Sequence, residues 1–94
     1  MATITSRTAI LSEVVAEREF QDLKHGPITA EGGHTLGEWL LIAESELNEA
    51  KTALIKGGTG RNSLRSEMIQ VVATLFAALE QHGIVDPPNG ERQI

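Results

Sequence analysis

Glu46 and Glu49 stand three residues apart within Glu44-Ser45-Glu46-Leu47-Asn48-Glu49, and Glu67 and Gln70 repeat that spacing further along the chain. Side chains three residues apart share one face of a helix. If the two helices pack antiparallel, three carboxylates and an amide oxygen converge. Hard oxygen donors from facing helices are how a helical bundle builds a divalent-metal site. Glu46, Glu49, Glu67 and Gln70 are therefore the expected metal ligands.

Size and charge narrow the field. The 94 residues make one domain. A chain this short, with Trp39, Phe20 and Phe76 as its aromatics, buries a thin core by itself, which predicts association. There is no cysteine, so disulfides and thiolate metal sites are excluded. A net charge of −5 argues against unassisted binding to nucleic-acid backbone. It leaves a phosphorylated small molecule open, because a bound cation inverts the local sign. No secretory signal is visible, and the longest apolar stretch, Met68 to Leu79, is too short to span a bilayer and contains Gln70 and Thr74. The expectation is a soluble, cytoplasmic protein without nucleic-acid or membrane partners.

The elements that must position the acids are three helices, so the expected class is all-α. Ser6 to about Lys24 carries Ile10, Leu11, Val14 and Val15 as an apolar stripe and stops at His25-Gly26-Pro27. A glycine-rich loop through Gly32-Gly33-His34 follows. Thr35 and Glu38 form a capping-box pattern that opens the second helix, which runs to Lys56 and ends at Gly57-Gly58. A short turn, Thr59 to Asn62, leads to a third helix from near Ser63 to His82-Gly83. Residues 1–83 are read as the helical domain and 84–94, broken by Asp86-Pro87-Pro88-Asn89-Gly90, as a loose tail or an arm onto a neighbour.

On a wheel of about 100° per residue, Leu36, Leu40, Ala43, Leu47, Ala50 and Leu54 centre the apolar face of the second helix. Trp39, Ile42 and Ala53 widen it on one side. Glu46 falls between Trp39 and Ala53, and Glu49 lies at the edge beside Ile42. A carboxylate among core positions is costly unless it is paired or bound to metal. The competing reading pairs Glu46 with an Arg or Lys from another helix. The third helix is apolar over most of its circumference, and Glu67, Gln70, Thr74 and Gln81 fall in a strip about 60° wide. So narrow a polar strip on a buried helix faces an internal site or a hydrogen-bond network at a dimer interface.

Other motifs carry less. Gly57-Gly58-Thr59-Gly60 lacks the Lys-Ser/Thr of a phosphate-binding P-loop and reads as a turn. His25, His34 and His82 have no zinc-type spacing and read as surface or loop residues. Trp39 has the chemistry to stack on a nucleobase, although one Trp on an apolar helix face more commonly belongs to the core.

Taken in order, these residues resemble the MazG-like, all-α nucleoside triphosphate pyrophosphohydrolases, a superfamily that includes dimeric dUTPases and phosphoribosyl-ATP pyrophosphohydrolases. Its hallmark is EExxE on one helix and ExxD on the next. Ser45-Glu46-Leu47-Asn48-Glu49 and Glu67-Met68-Ile69-Gln70 stand in those places. The small phage and prophage members are most similar. Glu17-Arg18, Gln21-Asp22, Lys24 and Gly26 match their first helix, Trp39-Leu40-Leu41 the start of their second, and Leu64-Arg65-Ser66-Glu67-Met68-Ile69-Gln70-Val71-Val72-Ala73 their third. The resemblance spans about Glu17 to Gly83. Two departures stand out: Ser45 in place of the first Glu of EExxE, and Gln70, a neutral oxygen donor, in place of the Asp of ExxD.

The resemblance implies cleavage of a (deoxy)nucleoside triphosphate between its α- and β-phosphates, giving monophosphate and pyrophosphate. It implies Mg²⁺ or Mn²⁺ held by Glu46, Glu49 and Glu67 with Gln70, and Glu46 as the group that takes a proton from the attacking water. Lys24 and Arg65 are expected at the phosphates, with Thr74 in the substrate site, and Trp39 and the 26–34 loop beside the base. The three-helix chain is expected to be completed as a homo-oligomer, dimer or tetramer. The alternatives are a non-enzymatic helical interaction module, a degenerate relative for which Gln70 argues, and a dUTPase-type member of the same superfamily.

Overall fold

The computed structural model describes residues 4–28 and 32–83, whose regular structure is helical, with no strand among them. Helix α1 spans Ile4–His25, α2 Leu36–Lys56 and α3 Leu64–His82, with a short 3₁₀ turn, Gly60–Asn62, between α2 and α3. The expected tail, 84–94, lies outside the described residues. No helix among the described residues is long and apolar enough to cross a membrane.

The local chemistry of the termini accounts for the boundaries. Thr35 Oγ1 accepts the Glu38 amide while Glu38 Oε1 accepts the Thr35 amide, so both partners of the capping box are in place. That same pair of contacts, the Thr35 amide first, holds the Glu38 carboxyl below its ordinary range. Gly57 closes α2 with φ +77°, a conformation that side-chain-bearing residues avoid, and returns its N–H to the Ala53 carbonyl at 2.8 Å. Ser63 caps α3 through the Ser66 amide.

The core is built from small side chains. Trp39, Ala43, Ala50 and Ala53 are the buried residues of α2, and Glu67, Ala73, Thr74, Ala77 and Ala78 those of α3. Of the expected apolar face, Ala43 and Ala50 are buried while Leu36, Leu40, Leu47 and Leu54 are exposed, Leu54 at 67%, so the buried stripe is turned by roughly 60° towards Trp39 and Ala53. Trp39 packs on Ala77 and Ala78, with Ile28 and Ile42 against them. The rotation moves Glu46 from the flank of the buried stripe towards its middle.

Helix α1 contributes one fully buried large side chain, Val14, at 1% exposure. Ile10, Leu11 and Val15, read from sequence as part of its core stripe, are exposed. Polar contacts do much of the docking instead. Buried Arg18 donates from Nε to Glu80 Oε1 (2.7 Å), from Nη1 to Gln21 Oε1 and from Nη2 to Asp22 Oδ1 (both 3.0 Å). Arg61 reaches Glu17 from the 3₁₀ turn, and Arg65 of α3 reaches Glu13 at 2.8 Å.

Candidate functional site

Four glutamates from two helices and the middle of α1 meet beside the α2–α3 seam. Glu67 is 6% exposed and Thr74, two turns further along α3, 3%. Thr74 donates its hydroxyl to Glu46 Oε1 in a hydrogen bond across the seam. The Glu67 carboxyl lies against that of Glu49, and its Oε2 is buried with no hydrogen-bond donor. Two carboxylates can share such a contact only through a proton or a cation.

Electrostatics follow from that crowding. Burial pushes the Glu46 carboxyl above the usual range; Thr74 opposes this, and the nearby charges of Glu49, Glu17 and Glu67 add to it. Burial likewise raises Glu67, helped by Glu49 and Glu17 and opposed by Arg61. No Arg or Lys pairs with Glu46 among the described residues; the cation at this group of acids is Arg61, bound in a fork to Glu17 at 3.0 and 2.9 Å.

A cavity of about 580 Å³ opens over the group. Glu17, Glu46, Glu49, Arg61, Gln70 and Thr74 form its acidic side, and Phe20, Lys24, Trp39, Ile42 and the loop residues Gly26–Ile28 and 32–34 are among the other residues that line it. A second opening of about 420 Å³ on the other side holds Glu67 with Glu49, Gln70 and Arg61. Glu46, Glu49, Gln70, Lys24, Trp39 and Thr74 thus share one cavity, and Glu67 reaches the group from behind. Arg65 is elsewhere: it lines neither opening and pairs with Glu13 on the outer side of α1.

Gln70 is tied to the turn before α3. Its Nε2 donates to the Arg61 carbonyl at 2.9 Å and fixes the 3₁₀ turn. Trp39 is held too, its Nε1–H donating to Gln81 Oε1 at 2.7 Å. The same oxygen accepts the His34 amide at 3.0 Å, the His82 ring meets the His34 carbonyl at 2.8 Å, and the His34 ring stands edge-on to Trp39 at 4.9 Å. His34 and His82, read from sequence as surface or loop residues, are exposed, and they brace the loop against the end of α3.

Sequence reasoning missed Glu17 and Arg61 as members of this site. Both were visible as types, Glu17 in an acidic–basic pair and Arg61 in a glycine turn, but their pairing crosses 44 residues of chain. The donor set consists of hard oxygens suited to Mg²⁺ or Mn²⁺, and the buried, donorless Oε2 of Glu67 fits a cation. As the side chains stand, no three Glu, Asp or His residues among those described close around one point as ligands. Glu17 is drawn to Arg61 and Glu46 to Thr74. The chain matches no protein-family model, no curated protein and no solved structure.

Proposed function

We propose that this chain is a metal-dependent pyrophosphohydrolase of (deoxy)nucleoside triphosphates, resembling the small MazG-like enzymes and acting as a homo-oligomer. The observation that carries the reading is Glu67: a buried carboxyl with one oxygen lacking any donor, against Glu49 and near Glu17 and Glu46. Mg²⁺ or Mn²⁺ bound there supplies neutralisation of phosphate charge and a more acidic water. The cavity of about 580 Å³ has the size of a small-molecule site.

The chain's own residues divide the remaining work. Glu46, its carboxyl raised above the usual range chiefly by burial, is the group to take up a proton from the attacking water. Thr74 fixes which way that carboxyl points. Lys24 in the cavity lining meets phosphate, while Trp39, its indole N–H committed to Gln81, offers a base only its ring surface. Arg65 has no place in this scheme because Glu13 holds it away. Leu40, Leu47 and Leu54 of α2 and Met68, Val72, Leu75 and Leu79 of α3 are all exposed, and covering them is the reason for the homo-oligomer.

Pyrophosphate release from a panel of NTPs and dNTPs, with Mg²⁺ and with Mn²⁺, is the test. Release from at least one triphosphate, dependent on the ion, is expected; a panel silent with both ions sinks the proposal. The same exposed leucine faces favour a second reading, a non-enzymatic helical interaction module, which predicts a silent panel and no divalent-ion binding. A dUTPase-type preference would appear as release from dUTP alone.

A further inference from the structure

Arg61 occupies an unusual position for a structural ion pair. Its guanidinium makes a two-pronged contact with Glu17, whose side chain is 9% exposed, while the Arg61 side chain itself is 52% exposed. Its backbone is pinned: Gln70 Nε2 holds its carbonyl, the Asn62 amide returns to Thr59 O at 3.0 Å and the Ser63 amide to Gly60 O at 3.2 Å. A half-exposed lever therefore turns on a fixed pivot. The guanidinium also lies over the Phe20 ring, 4.2 Å from its centroid, on the cavity wall. It borders both openings, so it faces Glu46 and Glu49 on one side and Glu49 and Glu67 on the other.

The charges do not close. One guanidinium serves four carboxyl groups, all its strong hydrogen bonds go to Glu17, and Glu67 Oε2 receives none. We propose that Arg61 is an exchangeable counter-cation: its guanidinium and a divalent cation compete for Glu17, and the released guanidinium grips the anionic end of a polyphosphate ligand. The fork geometry of arginine suits carboxylate and phosphate equally, so trading Glu17 for a phosphate keeps two N–H···O bonds. This rests on the reading above for the ligand class, and goes beyond it in assigning Glu17 and Arg61.

Mn²⁺ titrations by calorimetry, without nucleotide, separate the possibilities. Arg61→Gln should tighten Mn²⁺ by about fivefold, the scale of a lost partly exposed ion pair. Phe20→Leu, which removes the stacking that helps park the guanidinium, should tighten it by less. Tripolyphosphate added to the Mn²⁺-loaded proteins should bind Arg61→Gln more weakly than the parent. If Arg61→Gln loses its helices by circular dichroism, Phe20→Leu decides. Mn²⁺ affinity equal to the parent's in the folded variants overturns the exchange alone. A parent protein that binds no Mn²⁺ overturns the metal reading and the exchange together.

Discussion

Thr74 and Glu46 face each other across the α2–α3 seam, the threonine hydroxyl donating to the carboxylate from a residue only 3% exposed. The bond works against the burial that raises the Glu46 carboxyl. Thr74→Val keeps the shape and removes the donor, so the Glu46 carboxyl should rise further. The acid limb of the pH–rate profile should move to higher pH, with the alkaline plateau retained, and folding stability should fall by about 1–3 kcal/mol. An unmoved limb means that Glu46 is not the group that titrates.

Glu67 allows a test of the site with and without turnover. Glu49→Ala and Glu67→Ala should each reduce pyrophosphate release to background while preserving helicity, and should lose the thermal shift that Mg²⁺ plus nucleotide gives the parent. The metal-free protein has its own signature. Glu46 and Glu67 hold protons to higher pH when folded than when unfolded. Their contribution to stability is therefore full below the ordinary carboxylate value and is lost as pH rises through their raised values. Glu38, lowered by its cap, acts in the opposite sense, gaining stability above its unfolded value. Thermal midpoints in chelator should accordingly fall less steeply with pH in Glu67→Gln than in the parent; parallel curves would show that Glu67 is not strained.

How much of this was legible beforehand depends on the range of each interaction. The capping box at Thr35 and Glu38 and the glycine stop at Gly57 are local, and the helices begin and end where those residues place them. The polar strip of α3 was legible as well, with Glu67 and Thr74 buried and Gln70 and Gln81 half-buried. What the wheel could not supply was direction. Leucine outweighs alanine in any hydrophobic average, so the expected centre held Leu40 and Leu47 beside Ala43 and Ala50, although only the two alanines are buried. A wide apolar arc does not say which part serves the same chain and which part a second one. Glu17–Arg61 and Gln81–Trp39 were hidden because they join residues 44 and 42 positions apart.

Assembly is expected to follow the uncovered leucines. Sedimentation equilibrium at micromolar protein should give a dimer or tetramer, and Leu47→Glu combined with Val72→Glu should shift it to monomer, since both side chains are about half exposed on that face. A parent that sediments as a monomer with full pyrophosphohydrolase activity would remove the homo-oligomer from the proposal.

The loop beside the cavity has a steric requirement at Gly33, where an added Cβ would run into the Gln81 amide. That amide cannot easily retreat, because Trp39 and the His34 amide both hold it. Gly33→Ala should lower stability by about 1–3 kcal/mol in thermal unfolding. Combined with Gln81→Ala, the loss should be less than the sum of the two. Strict additivity would mean that the loop and the end of α3 are not coupled.

Apart from Trp39, Thr74 and Glu67, every buried position of α2 and α3 is alanine. Distance between the two backbones is therefore set by methyl groups, and the long glutamates reach across a gap that nothing bulkier props open. Two faces of one helix then answer to different pressures over evolutionary time. Leu40, Leu47 and Leu54, exposed on the outer face, can be rewritten without disturbing the buried seam. Ala50 and, across the seam, Ala73 cannot be enlarged without pushing apart the helices that bring the acids together.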